Sequence, residues 1–389
     1  MKSILNAINW RKIAVPTTDM RITDIDLAVV KLPLERPQAT AIHRFDHVAA
    51  LLVTVRTDAG VSGEGYAFCF DVERMHSIAA LARSLKSLYI GRDPHDVEAL
   101  WADAFRSLNF YGQAGIAVIS LTPFDVACWD VIGKSANKPL YKLFGACRSS
   151  VPIYASGGLW LSHTQAELEQ EARAFLKQGF KAMKLRLGSA RWQDDVTRVA
   201  CVREAIGDDI ALMVDANQGL TPDKAIRLGR ELERFNLVWF EEPLPTWDDA
   251  GNAALAAALD TAIASGETEF TRYGVRRMVE ARAADIMMPD LQRMGGYTEM
   301  RKAADYLAAR DVPVSPHIFT EHSMHIVASS RHGMYCESFP WFEPLFRQKV
   351  TLDEKGNAPM PAGPGVGFEF DWERLDAMRV ASPVLDARK

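Results

Sequence analysis

The sequence predicts an α/β protein in two parts, an N-terminal α+β unit followed by a parallel (β/α) barrel. Three observations carry this. Between Val151 and Glu337, short apolar runs of strand length alternate with amphipathic helical stretches, giving eight strand candidates and seven helices. Successive runs end on Asp215, Glu241, Glu267, Asp290, His317 and Glu337, spaced 20 to 27 residues apart, about one strand plus one helix. Before residue 145 the order differs: strands come first, then helices.

Residues 1–20 show no clear periodicity and read as an N-terminal extension. Two extended stretches follow, Ile22–Leu34 and His47–Arg56. The turn Thr57-Asp-Ala-Gly60 then leads into a third strand, Gly63–Phe68, so an antiparallel sheet is expected. Helical patterns cover about Glu73–Tyr89, Pro94–Leu108 and Gly115–Gly133. The barrel opens with strand Val151–Ala155, helix Gln165–Gln178, strand Ala182–Leu187 and helix Trp192–Ile206. Its later strands lie in Ala211-Leu-Met-Val, Leu237-Val-Trp-Phe, Ala262-Ile-Ala, Ile286-Met-Met, Pro313-Val-Ser and Met334-Tyr-Cys. The tail Gln348–Phe370 reads as hairpin and loop and is expected to pack back on the N-terminal unit. The expected division is therefore 1–20, 21–145, 146–345 and 346–389.

Composition narrows the function. A net charge of −5 with no basic stripe argues against nucleic acid. No apolar run approaches the roughly 20 residues of a membrane helix, and the first 20 residues lack a signal-peptide core. Five scattered cysteines without CxxC spacing favour reduced thiols in a cytoplasmic protein. Symmetric homo-oligomers are common among soluble enzymes, and one is expected here.

In a barrel all strand C-termini open on one face, so the acids converge. Asp215, Glu241 and Glu267 would form an all-oxygen site with positions left for water and substrate, which suits Mg²⁺. Each alone also reads as a helix N-cap; three in register on consecutive strands do not. Glu242, by strand alternation, is expected to point away. Asp290 and His317 end neighbouring strands, and a carboxylate beside an imidazole fixes its tautomer and makes it usable for proton transfer. Lys184 and Arg186 share one face of their strand and would meet anions there; the alternative is an outward face paired with helix carboxylates. His322 and His325, at i and i+3, are expected to be surface or supporting groups, not ligands.

These residues resemble the enolase superfamily, specifically its mandelate racemase-like group with the acid-sugar dehydratases. The likeness spans about residues 21–370. It rests on Lys184-Leu-Arg186, Val214-Asp-Ala-Asn217, Glu241-Glu-Pro243, Gly266-Glu267, Met288-Pro-Asp290 with Gly295-Gly296, Ser315-Pro-His317 and Glu337. It implies a (β/α)₇β modified TIM barrel under an α+β capping domain, and Mg²⁺ on Asp215, Glu241 and Glu267. It also implies abstraction of a proton α to a carboxylate. His317 would be the base, Asp290 its orienting partner, Glu337 a donor to the substrate carboxylate and Lys184 that carboxylate's electrostatic partner. Substrate contacts are expected from the loop Pro37–Asp46 with His43 and Arg44, from Trp160 and Phe110-Tyr111, and from Asn217.

One position departs from the group's pattern. Where Lys-x-Lys is common, this chain has Arg186, whose guanidinium stays protonated at ordinary pH. A racemase needs a competent group on both faces of the planar intermediate, whereas a dehydratase needs only one. The expectation is dehydration of a sugar acid, aldonate or aldarate, to a 2-keto-3-deoxy acid. A racemase or epimerase of a 2-hydroxy acid is the runner-up, and a non-catalytic metal-binding barrel or metal-assisted hydrolysis are the alternatives from other classes.

Overall fold

The computed structural model describes residues 20–386. All of the expected N-terminal extension except Met20 therefore lies outside the described residues. Strands β1 (Ile22–Ala39), β2 (Arg44–Thr57) and β3 (Ser62–Cys69) form an antiparallel sheet in sequence order. Strand β1 runs past Leu34, where the sequence pattern ended, because its register shifts between Pro33 and Gln38. An irregularity there accommodates prolines that cannot donate to a ladder. The extension carries the hairpin tip Thr40–His43 outward, and Gln38 Oε1 accepts a bond from Trp341 Nε1 at 3.1 Å.

Helices α1 (Val72–Tyr89), α2 (Val97–Ser107) and α3 (Ile116–Ser135) cover one face of this sheet and bury Leu51, Val53, Trp101 and Phe124 between them. By length and composition α3 would suit a membrane, contrary to the expectation from the sequence. Its apolar surface is instead covered by protein, and it carries the buried acids Asp125 and Asp130. Asp130 accepts backbone N–H bonds from Glu64 and Val366 and pairs with Lys134.

After the short α4 (Leu140–Leu143) the barrel begins. In order come β4 (Ser150–Ala155), α5 (Gln165–Lys177), β5 (Ala182–Arg186), α6 (Trp192–Ile206), β6 (Ala211–Asp215), α7 (Pro222–Leu232) and β7 (Phe240–Glu241). Then follow α8 (Asp249–Ala258), β8 (Ile263–Ser265), α9 (Thr271–Ala281), β9 (Ile286–Met287), α10 (Leu291–Met294), α11 (Tyr297–Ala308), α12 (Thr320–Ser329) and β10 (Cys336–Ser338). All barrel strands pair in parallel, and β10 closes the ring on β4. The expected strand Pro313-Val-Ser is reduced to single bridges from Val314 to Met287 and Gly333. Pro313 and Pro316, which flank it, have no N–H to donate.

The barrel is plugged by one layer of inward side chains: Tyr154, Ala182, Met213, Trp239, Ala264 and Met288, with Tyr335 packed against them. Side chains alternate along a strand, so the next inward positions lie two residues further on. These are Ser156, Lys184, Asp215, Glu241, Gly266, Asp290 and Glu337. One apolar floor thus specifies one polar layer above it.

The C-terminal segment leaves the barrel through the 3₁₀ turn Pro340–Leu345 and returns along its outside. Strand β11 (Asn357–Pro359) pairs antiparallel with β4, and α13 (Trp372–Asp376) lies against the first sheet. There the Glu64 carboxylate accepts from Trp372 Nε1 and from the Phe370 amide, both at 2.8 Å. The N-terminal unit meets the barrel at Gly295-Gly296. Trp101 Nε1 donates to the Gly295 carbonyl, and Asp125 Oδ2 accepts the Thr298 amide at the start of α11. Gly296 has φ of 108°, and a Cβ there would come within 2.2 Å of Asp125 Oδ2.

His322 and His325 are neither surface groups nor a metal pair. Both are buried on α12. His325 takes the Tyr141 amide on Nδ1 and bonds the Val366 carbonyl through Nε2, while His322 Nδ1 lies 3.0 Å from Tyr297 Oη.

Candidate active site

The polar layer forms the floor of a pocket between the barrel mouth and the first sheet. Lys184 is its hub. Its Nζ lies 2.5 Å from Glu241 Oε1, 2.9 Å from Glu337 Oε1 and 3.3 Å from Asp215 Oδ2. Burial alone would lower the lysine pKa, but the three surrounding acids outweigh it and hold the group above its usual value. Lys184 is therefore a fixed cation. Glu241 also accepts from Trp239 Nε1, at 2.8 Å.

Arg186 cannot serve as a base, and its surroundings hold it rigidly. Nη1 donates to the Ser156 carbonyl and Nη2 to the Ser156 hydroxyl, each at 2.9 Å. The guanidinium lies 4.7 Å from the Trp160 ring centroid, a cation–π distance. Trp160 lines the pocket.

Glu337 is engaged through both carboxylate oxygens. Oε1 accepts from the Ser156 hydroxyl and Oε2 from the Ile318 amide at 2.8 Å. Burial would raise its pKa, yet Lys184, His317 and Arg186 hold it well below the carboxylate range. A donor role toward a substrate carboxylate would use its protonated form, since the ionised carboxylate only accepts.

Asp290 and His317 are joined directly. His317 Nδ1 is 2.7 Å from Asp290 Oδ2, and the backbones of the two residues form a parallel bridge. Asp290 Oδ1 accepts the amides of Gln292 and Arg293 at the start of α10, which locks the carboxylate. His317 Nε2 turns the other way, 3.4 Å from Glu267 Oε2. Burial would lower the imidazole pKa; Glu267, the Asp290 hydrogen bond and Glu337 outweigh it and lift it to about 9.

Glu267 reaches the pocket from one residue beyond the strand pattern, since Gly266 occupies the inward position. Gly266 has φ of 109°, a backbone conformation that residues with side chains rarely adopt, and the following residue carries the acid. Asn217 sits in a turn with φ of 42° and grips Asp215 through its amide N (2.8 Å) and Nδ2 (3.2 Å). His43, on the hairpin tip, lines the pocket wall, but Arg44 is exposed and outside the lining. Adjacent residues of an extended segment face opposite ways, so both could not reach inward. Phe110 and Tyr111 are 89% and 75% exposed and also outside it.

Glu242 was expected to point away, yet it lines the pocket. β7 ends at Glu241, and Glu242 takes φ of 36°, so strand alternation no longer governs it. Its Oε2 accepts from Gln218 Nε2 at 2.8 Å, and its Oε1 is buried without a partner. Burial, then Glu267, push its pKa well up. Ser156 was also missed, although its place two residues after Tyr154 could have revealed it.

The donor set fits a hard divalent cation. Asp215, Asn217, Glu242 and Glu267 all line the pocket, and Asn217 Oδ1 and Glu242 Oε1 are buried oxygens with no donor. Asp215 and Glu241 are paired neighbours on β6 and β7. Among the described residues no three acids, imidazoles or thiols already close on one point, and Lys184 pairs with Asp215 and Glu241.

This barrel, its cover and its acidic layer define an enolase-type protein. Residues 23–145 match the model of the mandelate racemase / muconate lactonizing enzyme N-terminal domain, and residues 167–374 match the enolase C-terminal domain-like family. The chain belongs to the mandelate racemase / muconate lactonizing enzyme family of the enolase superfamily. It is 33% identical to L-talarate/galactarate dehydratase of Salmonella typhimurium over 359 residues, 90% of this chain and 89% of the relative. It is 35% identical to 3,6-anhydro-alpha-L-galactonate cycloisomerase of Streptomyces coelicolor, over 85% of this chain and 91% of that one. The crystal structure of the Salmonella dehydratase with Mg and L-lyxarohydroxamate superposes with a TM-score of 0.90 at 32% identity, covering 95% of this chain and 96% of that one.

Proposed function

We propose that this protein is a Mg²⁺-dependent sugar acid dehydratase, converting a small polyhydroxy carboxylate to a 2-keto-3-deoxy acid. The observation that carries the reading is the asymmetry of the pocket. His317 Nε2 faces inward with Nδ1 fixed by Asp290, whereas Arg186, the other strand-end cation, is permanently charged and held by Ser156. One face of a planar intermediate therefore meets a group that exchanges protons, and the other does not.

In this reading His317 Nε2 takes the proton α to the carboxylate, and the C–H electron pair becomes the enediolate. Asp290 orients the ring and stabilises the imidazolium. The same Nε2–H is then delivered to the β-hydroxyl, the C–O bond breaks, and water leaves. The enol left behind tautomerises to the 2-keto acid, so atoms and charge balance without a redox partner. Lys184 keeps a fixed positive charge beside the reacting carboxylate. Asp215, Glu241 and Glu267 would hold Mg²⁺, with Asn217 Oδ1 and Glu242 Oε1 nearby. When bound, the ion supplies Lewis-acid stabilisation of the charge that builds on the carboxylate, without which the α-proton is too weakly acidic for an imidazole.

The dehydratase relative from Salmonella, and its structure with Mg, support this reading. The test is a panel of sugar acids with Mg²⁺ in D₂O, read for 2-keto product and for α-epimers. A 2-keto-3-deoxy product is expected. Interconversion of α-epimers without that product would overturn the reading in favour of a racemase.

A further inference from the structure

We propose that Trp341 and Trp160 are positioning residues, whose stacked indoles link the docked hairpin of the cover to Arg186 and hold its guanidinium on Ser156. The inference rests on the reading above only in taking Arg186 as the group on the second face of the intermediate.

Both indoles are buried and lie nearly parallel, with ring centroids 6.0 Å apart and an interplanar angle of 6°. Trp160 follows the first barrel strand, and Trp341 sits in the 3₁₀ turn after the last. Ser338 pairs with Ala155 where β10 meets β4, so ring closure sends these two segments out side by side. Gly157 lets them press together, since a Cβ there would lie 2.3 Å from Pro340 Cδ. The main chain of the Trp160 segment is pinned separately. Arg198 donates to the carbonyls of Trp160 and His163 at 2.9 and 2.8 Å, and the Leu159 carbonyl accepts the Arg186 amide. With that backbone fixed, the tilt of the Trp160 ring depends on what packs against it.

The outer end of the stack belongs to the cover. Gln38 and Phe45 are cross-strand partners in the β1–β2 hairpin. Gln38 Oε1 accepts from Trp341 Nε1 at 3.1 Å, and the Phe45 ring meets Trp341 edge-on at 5.2 Å. One rung of the hairpin thus engages Trp341 through both its N–H and its ring. A buried indole N–H needs an acceptor, and here the cover supplies it.

At the inner end, the guanidinium has hydrogen bonds only to Ser156. Arg186 Nε has no hydrogen-bond partner among the described residues, with Asp215 Oδ2 at 3.6 Å. Two bonds to one serine fix an edge of the group but not its plane. The Trp160 ring at 4.7 Å and the Phe339 ring at 5.7 Å supply the rest of the hold. Trp160 and Trp341 also line the pocket, so the competing role is direct contact with substrate. The two roles separate kinetically: a contact wall governs KM, whereas a ring acting through Arg186 governs kcat.

The test combines kinetics on the fastest-exchanging sugar acid of the panel above with crystal structures of the variants. Trp160→Leu is expected to lower kcat for α-proton exchange about tenfold with KM changed less than about twofold. Trp160→Phe, which keeps a ring beside Arg186, should recover most of that loss. Gln38→Leu and Trp341→Phe delete the same hydrogen bond, so each should lower kcat about threefold and the double variant no further. In an Arg186→Met background, Trp160→Leu should bring no additional loss. The structure of Trp160→Leu should show Arg186 released from at least one of its Ser156 bonds. Both bonds intact in that structure, a change chiefly in KM, or additive losses from Gln38→Leu and Trp341→Phe would overturn the proposal. If no sugar acid yields 2-keto product, the dehydratase reading fails, while the crystal structures, which need no substrate, still decide the positioning role.

Discussion

Arg186 and Ser156 form a two-point clasp, one guanidinium nitrogen on the serine carbonyl and the other on its hydroxyl, each at 2.9 Å. The same hydroxyl donates to Glu337, so one serine ties a cation and an anion of the floor together. Arg186→Lys breaks the fork and places a deprotonable amine on the second face. The variant should lose turnover and begin to exchange the α-proton from that face. Its recovered substrate in D₂O should contain the α-epimer, while the parent's should not. Mass spectrometry and chiral chromatography of unreacted substrate read this directly.

The Asp290–His317 pair predicts a loss confined to proton transfer. Asp290→Asn leaves the helix cap largely in place but removes the charge that stabilises the imidazolium. A fall in kcat of roughly 10²–10⁴ is expected, with Mg²⁺ affinity little changed. Full activity in this variant, measured with saturating metal, would remove Asp290 from the mechanism.

Metal should retune the base. His317 is lifted to about 9 largely by the Glu267 charge, acting against burial. A cation held by Glu267 opposes protonation of the imidazole, so Mg²⁺ should lower the His317 pKa by at least about one unit. Reciprocally, Mg²⁺ should bind more tightly as pH rises through that titration. NMR titration of His317 with and without Mg²⁺ checks both; an unchanged pKa would separate Glu267 from the metal.

Two buried histidines set an acid limit on stability. Burial pushes His322 down to about 3 and His325 down to about 4, against an ordinary value of 6.5. The unfolded chain therefore binds more protons below pH 6.5, and stability from these groups, intact above 6.5, is lost as pH falls toward 4. Each contributes on the order of 2 kcal/mol of loss between pH 6.5 and 5. Glu321, raised by burial to about 7, works in the opposite sense, penalising the fold above pH 7 and relaxing as pH falls toward 4.5. Chemical denaturation at pH 5 and pH 8 should show His325→Gln with a smaller acid loss and Glu321→Gln with a gain at pH 8.

Gly296→Ala should loosen the cover. The added Cβ meets Asp125 Oδ2, and the positive φ is unfavourable for alanine. A destabilisation of about 1–3 kcal/mol is expected, together with faster amide exchange at Thr298, whose N–H Asp125 accepts.

Much of this was legible because a strand repeats every two residues. Met213 and Trp239 on the floor place Asp215 and Glu241 above them, and apolar runs ending in acids declare that layer without coordinates. Where the chain leaves the strand, the rule ends. Glu242 turns inward through a left-handed backbone that its sequence neighbours do not announce. Arg74 joins the pocket because a separate sheet and helix dock over the barrel mouth, a long-range event with no local signature. The hairpin tip was recognised, but not which of His43 and Arg44 faces inward. Helix α3 read as no membrane candidate because its polar residues interrupt the apolar run, although its average hydropathy suffices.

Glu64 holds Trp372 and Phe370 some three hundred residues further along the chain. During synthesis, those contacts cannot form until almost the whole polypeptide has emerged. A product cut short before them would carry every member of the acidic layer, and its cover would be held to the barrel only on the Gly295-Gly296 side. The last stretch of chain thus adds no chemical group to the site and works as a clasp on the far side of its cover.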